Sequence, residues 1–116
     1  MTPTTEHHHQ VLFINWARKT YPDVLVYAIP NGGKRGRLTA YKLQQEGVLA
    51  GVPDLFIADG KPGLYIELKE PKKGRLSAAQ KDVIQRLKYA GYSVRVCYGV
   101  EEAKAAMQEY MSGKTV

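Results

Sequence analysis

The fold is decided by GLYIELK, a strand-like stretch at positions 63–69. Side chains alternate between the two faces of a strand, so Glu67 and Lys69 must project from one face while their apolar neighbours project from the other. A second strand-like run opens at Asp54, thirteen residues before Glu67 and directly after a proline. If the two strands pair, two carboxylates and an ammonium group meet at one point.

Such a cluster of charges needs a compensating partner, because charged side chains at the end of an apolar strand are costly to desolvate. A divalent cation is the most economical group that would compensate both Asp54 and Glu67. Each residue also has a simpler interpretation: Asp54 as a turn residue after proline, and Glu67 with Lys69 as an exposed ion pair. Together, on paired strands, the three residues favour a metal site.

Length and composition narrow the class of protein. The 116 residues fit a single domain, and 17 Lys plus Arg against 11 Asp plus Glu give a formal charge of +6, which favours polyanionic partners, nucleic acid foremost. The only cysteine, Cys97, excludes an intrachain disulfide and a Cys-rich zinc cluster, and we expect it to be a small strand residue. No apolar stretch has the length of a membrane span or a signal peptide, so we expect a cytoplasmic protein without a membrane partner.

Apolar periodicity and turn residues predict an α/β chain in the order helix, strand, short helix, strand, strand, helix, strand, helix. The predicted elements are a helix from the cap Thr5 to about Thr20, a strand over 24–29 ending at the turn 30–33, a short helix over 39–46, a hairpin of strands over 54–58 and 64–69, a helix capped by Ser77 and stopped by Gly91, a strand over 92–98, and a helix over 101–111. The histidines at 7–9 point in directions about 100° apart on a helix, so we expect a solvated first turn and no shared metal there.

Two polar residues lie on helix faces that can reach the predicted site. Glu6 shares a stripe with Phe13 and Ala17, so it can face the protein as a third acid; the alternative is an acid that favours the dipole of the first helical turn. Gln80 forms a capping box with Ser77, yet it also lies on the side of its helix that packs on the sheet. It can therefore cap the helix and reach the site as well.

Two basic segments flank the predicted site. No acidic residue occurs between Val24 and Gln45, while basic residues accumulate just after a Gly-Gly turn, where the backbone could approach a phosphate closely. Solvated loops are the alternative. We expect nucleic-acid contacts from a set that spans both segments: Asn31, Gly32, Gly33, Lys34, Arg35, Arg37, Lys72, Lys73 and Arg75.

The last predicted helix carries an apolar face. Its apolar positions are Ala103, Ala106, Met107, Tyr110 and Met111. We expect them to pack on the sheet, with a dimer interface as the alternative.

An ordered set of six motifs resembles the virus-type replication-repair nuclease (VRR-NUC) family of the PD-(D/E)xK superfamily, from Glu6 to about Glu102. The motifs are Glu6; Asn31-Gly32-Gly33 with Arg35; Gly51-Val52-Pro53-Asp54-Leu55; Ile66-Glu67-Leu68-Lys69; Gly74-Arg75-Leu76-Ser77 with Gln80; and Gly91-Tyr92. The resemblance implies a restriction-endonuclease-like core, a mixed sheet of about four strands flanked by helices. It also implies cleavage of DNA phosphodiesters with Mg²⁺ or Mn²⁺, and branched DNA as a favoured substrate class.

On this resemblance, Asp54, Glu67 and the backbone carbonyl of Leu68 are the expected metal ligands, and no organic cofactor is expected. Lys69 is either the catalytic base or an electrostatic stabiliser, with Glu6 and Gln80 in support. A single site cuts one strand, so resolving a four-way junction requires a homodimer. Two alternatives stay open: a non-catalytic DNA-binding module that keeps the fold, and a basic scaffold protein, which leaves the clustered carboxylates unexplained.

Overall fold

The computed structural model describes residues 5–30, 37–60 and 62–113. Its elements follow the predicted order: α1 (Glu6–Thr20), β1 (Leu25–Ala28), α2 (Arg37–Gln45), β2 (Leu55–Ala58), β3 (Leu64–Lys69), α3 (Ala78–Tyr89), β4 (Ser93–Tyr98) and α4 (Val100–Met111). Most bounds lie within one residue of the prediction. Helix α2 begins two residues earlier than expected, and most of the turn predicted at 30–33 lies outside the described residues.

The four strands form one mixed sheet in the order β1-β2-β3-β4. Strand β2 pairs antiparallel with both β1 and β3, and β3 pairs parallel with β4. The predicted hairpin is therefore confirmed, with Leu55 opposite Ile66. It brings the start of β2 beside the end of β3, which is where Asp54 and Glu67 lie. The predicted fold class, a mixed four-stranded sheet flanked by helices, is confirmed.

One face of the sheet is packed against α1 and α4. Leu55, Ile66 and Leu68 are fully buried there together with Phe13 and Met107. Each such side chain contributes roughly 1.5–3 kcal/mol relative to an exposed position. The predicted apolar positions of α4 are all buried or partly buried against this same cluster: Ala103, Ala106, Met107, Tyr110 and Met111. This packing confirms the expectation that they lie on the sheet.

The opposite face carries Tyr65 and Glu67 on β3, and α3 covers its β4 side. The α3 residues Val83 and Ile84 are buried. The capping box predicted from the sequence is present, since Ser77 Oγ accepts a hydrogen bond from the Gln80 backbone N–H at 3.1 Å and Gln80 Oε1 accepts one from the Ser77 N–H at 2.9 Å. Because both bonds form, the position of Gln80 over the sheet is fixed at the first turn of α3.

The expectation of a fully solvated histidine turn is wrong for His9. Thr5 caps α1 as predicted, but His9 is only 5% exposed and its Nδ1 accepts a hydrogen bond from the Val100 N–H at 2.9 Å. The reason is helical geometry: His9 lies four residues before the buried Phe13 and so shares its face. The contact joins the first turn of α1 to the start of α4.

Cys97 is buried on β4, as expected for a small strand residue, and burial raises the pKa of its thiol to about 12. A thiol held in its neutral form is unreactive. In the part of the chain that the structure describes, no helix is long and apolar enough to cross a membrane.

Candidate functional site

The site is built around the end of β3, and Asp54 is fixed to it from the neighbouring strand. The Leu68 backbone N–H donates a hydrogen bond to Asp54 Oδ2 at 2.7 Å, and the Asp54 carbonyl accepts one from the Ile29 N–H at 2.7 Å. The N–H and C=O groups of one strand residue point to the same side of the strand. The Leu68 carbonyl therefore projects toward the edge at which the Asp54 carboxylate lies.

Gly51 explains why the loop before Asp54 can lie so close to α3. Its φ is +96°, and a Cβ atom there would lie 2.5 Å from the Ala79 carbonyl oxygen. Any side chain would therefore clash with backbone and adopt a strained conformation. The glycine lets the Gly-Val-Pro-Asp segment pass beneath the first turn of α3, the turn that carries Gln80.

Glu67 is the most buried charged group of the site. It is 1% exposed, its Oε2 accepts a hydrogen bond from Gln80 Nε2 at 3.3 Å, and the Lys69 ammonium lies 3.9 Å from the same oxygen. Its other oxygen, Oε1, is buried and accepts no hydrogen bond from the described residues. An ionised carboxylate oxygen is costly to bury without a donor, and a cation or a hydrogen-bond donor beside Oε1 would stabilise it.

The charges of the site act strongly on one another. Burial raises the pKa of Glu67 to about 9; the negative charge of Asp54, a hydrogen bond with it and the charge of Glu6 add to the rise, and Lys69 opposes it. At neutral pH and without a cation, Glu67 therefore holds a proton. Two neighbouring carboxylates in a poorly solvated site cannot both ionise without compensation.

Glu6 belongs to the same electrostatic cluster. It is partly buried in the first turn of α1, where burial raises its pKa, followed by the charge of Asp54; Glu70 adds to the rise and Lys69 opposes it. The structure thus brings together all the side chains predicted as catalytic: Glu6, Asp54, Glu67, Lys69 and Gln80.

The residues present fit a magnesium-like cation. Within residues 5–30, 37–60 and 62–113, no three His, Cys, Asp or Glu side chains form a ready metal cluster, so Glu6 does not complete a trio with Asp54 and Glu67. Mg²⁺ does not need such a trio, because it binds few protein carboxylates and keeps several waters. The carboxylates of Asp54 and Glu67, the latter with no donor to its Oε1 among the described residues, and the Leu68 carbonyl are a suitable set.

Of the two predicted basic segments, one is described in full. Lys72, Lys73 and Arg75 are exposed and follow β3 directly. The loop turns back toward the site, since a Cβ atom at Gly74 would lie 2.6 Å from Lys69 Cβ. In the other segment, Asn31, Gly32, Gly33, Lys34 and Arg35 lie outside the described residues, and Arg37 begins α2. Contact of either segment with nucleic acid stays a prediction.

A row of aromatic rings on the same face of the sheet was not predicted. It consists of Tyr27, Phe56, Tyr65 and Tyr92, with neighbouring ring centroids 4.5–5.8 Å apart. The alternation of each strand places each ring on a face, but only the strand register joins the rings into one row.

Two carboxylates and a lysine thus lie together at the end of a mixed sheet, and comparison with known proteins shows the class of domain: a nuclease fold of a DNA-processing family. The family model "VRR-NUC domain" matches residues 3–101, so the chain belongs to the VRR-NUC family. It is similar to a solved structure described as a VRR_NUC domain protein, at 26% identity and a TM-score of 0.80, covering 100% of this chain and 99% of that one.

A second solved structure, described as a VRR_NUC domain, is similar in fold alone. It has 15% identity and a TM-score of 0.58, covering 88% of this chain and 97% of that one. The comparison with curated proteins yields no match.

Proposed function

We propose that this protein is a metal-dependent DNA endonuclease that hydrolyses phosphodiester bonds with Mg²⁺ or Mn²⁺. One observation carries the proposal: Glu67 is buried with no hydrogen-bond donor to its Oε1 among the described residues, beside a second carboxylate on Asp54. Such an arrangement raises the energy of the cation-free ionised site, and a divalent cation held by Asp54, Glu67 and the Leu68 carbonyl would relieve it.

When bound, the cation would acidify a water molecule and offset charge on the phosphate. The rest is done by side chains of the chain. Asp54 is held in position by the Leu68 N–H, and Gln80 orients Glu67 through its Nε2. The Lys69 side chain is 12% exposed and lies beside Glu67, so its ammonium acts where negative charge grows on the phosphate during hydrolysis. Glu6 can accept a hydrogen bond from a water molecule that enters the site.

We also propose branched DNA, including four-way junctions, as the substrate, and a role in DNA repair. The net charge of +6 and the exposed basic loop that follows β3 support a polyanionic substrate. Each chain has one such site and cuts one strand, so symmetrical cleavage of a junction would require a homodimer.

The test is an incubation of the purified protein with linear, flapped and four-way-junction DNA in Mg²⁺, Mn²⁺ or EDTA. We expect cleavage in either metal, none in EDTA, and faster cleavage of the branched substrates. Glu67→Gln should be inactive, whereas Asp59→Asn, an equivalent change in the exposed loop of the hairpin, should be active. If no DNA is cut in either metal while binding persists, the non-catalytic binding module replaces the nuclease.

A further inference from the structure

The aromatic row crosses the whole sheet. Tyr27 on β1 lies opposite Phe56 on β2, and Phe56 lies opposite Tyr65 on β3. Tyr92, just before β4, completes the row, with its ring centroid 5.4 Å from that of Tyr65 and 6.3 Å from that of Phe56. Each ring contacts the next one in the row, so the four form a continuous surface instead of scattered side chains.

This row lies on the face of the sheet that carries the proposed catalytic residues. Tyr65 and Glu67 are two residues apart on β3, about 6.6 Å along the strand, and so project from the same face. That distance is about two steps of stacked bases at 3.4 Å each. The row therefore passes beside the site at Tyr65, and it crosses the sheet from Tyr92 next to β4 to Tyr27 on β1.

No described helix covers the β1 end of the row. Of the helices that the structure describes, only α1 contacts β1, and it does so on the core face, where Val26 is buried. Tyr27 is 41% exposed and Tyr92 40%. Helix α3 packs on β4, and none of the described helices covers the β1 and β2 side of this face, which is its open side. The open side thus presents aromatic rings to solvent beside a charged site.

Charge indicates which partner suits these rings. Tyr27 lies in the segment between Val24 and Gln45, which contains no acidic residue and four basic ones, Lys34, Arg35, Arg37 and Lys42. Among the described residues, Arg86 lines the same cleft as Tyr65. Proteins bind single-stranded nucleic acid by stacking bases on aromatic rings and holding phosphates near cations. Bases inside a duplex have both faces covered by their neighbours, so only unpaired bases can use such rings.

We infer that the row Tyr27, Phe56, Tyr65 and Tyr92 binds unpaired bases of the strand that enters the site. The substrate then carries a single-stranded or unstacked segment next to the bond that is cut. This inference rests on the proposed function for the position of the cut. The binding of unpaired bases itself does not depend on cleavage.

The test measures the dissociation constants of a labelled oligothymidine and of a duplex of equal length, in Ca²⁺, for the wild type and for Tyr27→Ala and Tyr92→Ala. We expect each substitution to weaken single-strand binding by at least ~5-fold and to leave duplex binding unchanged. Tyr27→Phe and Tyr92→Phe should bind normally, because the ring is kept. Tyr89→Ala is the matched control, since Tyr89 is 96% exposed on α3 and outside the row.

Several outcomes would overturn the inference. Unchanged single-strand binding, or equal losses on single strand and duplex, would exclude selective contact with unpaired bases. A change of oligomeric state in the alanine variants, seen by light scattering, with no change in binding would assign the row to an interface between two copies. If an alanine variant does not fold, the leucine variant at the same position, Tyr27→Leu or Tyr92→Leu, keeps apolar packing without a ring. It should show the same loss of single-strand binding.

Failure of the proposed function gives a different result. If the protein cuts no DNA but the alanine variants bind single-stranded DNA more weakly, as predicted, the inference about the aromatic row stands and the proposed nuclease activity is rejected. If the wild type and the tyrosine variants all cut fully paired and single-stranded DNA at equal rates, the nuclease activity stands. The inference about the aromatic row is then rejected.

Discussion

The Leu68 backbone N–H donates a hydrogen bond of 2.7 Å to Asp54 Oδ2, which fixes one acidic residue to the strand that carries the other. Asp54 and Leu68 are fourteen positions apart in the chain, and the β2–β3 hairpin brings them together. The relation between Asp54 and Glu67 therefore depends on backbone pairing and not on flexible side chains. Catalytic groups held in this way need little reorganisation when substrate binds.

Asp54→Asn separates the structural role of this residue from its metal-binding role. The asparagine side-chain oxygen can still accept the bond from Leu68, so the thermal midpoint should change little, while loss of the anionic ligand should weaken Mg²⁺ binding at least ~10-fold. Titration calorimetry measures the affinity, with Asp59→Asn as the control. Unchanged affinity in both Asp54→Asn and Glu67→Gln would remove these residues from the metal site.

The stability of the metal-free protein should depend on the protonation of Glu67. The pKa of this carboxyl rises from an ordinary 4.5 to about 9 in the folded state, chiefly through burial. Below pH 4.5 both folded and unfolded chains hold the proton. Between pH 4.5 and about 9 the unfolded chain loses a proton that the folded chain keeps, so the free energy of unfolding falls by up to ~1.4 kcal/mol per pH unit.

Urea unfolding in EDTA at a series of pH values measures this slope. Glu67→Gln should remove the contribution, because its amide does not titrate in this range. A wild type and variant with the same slope would contradict the assignment. Mg²⁺ should bind more tightly as pH rises and release about one proton from the wild type at neutral pH, because the ligands must be deprotonated.

The two roles of Gln80 can be separated with Ser77. Ser77→Ala removes only the cap and should cost ~1 kcal/mol of stability with the cleavage rate kept. Gln80→Ala removes its half of the capping box and the hydrogen bond to Glu67, so it should also lower metal affinity or cleavage by ~10–100-fold. Equal effects of the two substitutions on cleavage would limit Gln80 to helix capping.

The basic segment around Lys34, Arg35 and Arg37 is expected to contact phosphates. Replacing all three with alanine should flatten the dependence of log K on log salt by up to ~0.9 per lost contact on duplex DNA. Lys19→Ala with Lys88→Ala, both on exposed helix surfaces, is the control for loss of charge alone. An unchanged slope in the triple variant would place the segment off the path of the DNA.

Local patterns in the sequence predict much of the fold and the site. Alternation on β3 placed Glu67 and Lys69 on one face, and the Ser77-x-x-Gln80 box placed Gln80. The burial of His9 depends on Val100, 91 positions away, and no local pattern contains that contact.

The aromatic row shows the same limit. Tyr27 and Tyr65 share a face only once the strands are paired in register. The face on which a side chain lies can be predicted from the local sequence pattern. Contacts between strands and helices that are distant in the chain can be seen only in the folded structure.

The measurement that tests the central claim most directly compares Lys69→Ala with the wild type on one junction substrate. The Lys69 ammonium lies 3.9 Å from Glu67 Oε2, where it would act most strongly as charge grows in the transition state. A nuclease should therefore lose at least ~10² in single-turnover rate in Mg²⁺, while DNA affinity in Ca²⁺ changes little. The contrary result, a weaker affinity with the rate kept at saturating protein, would make Lys69 one phosphate-binding lysine among many and contradict the catalytic site.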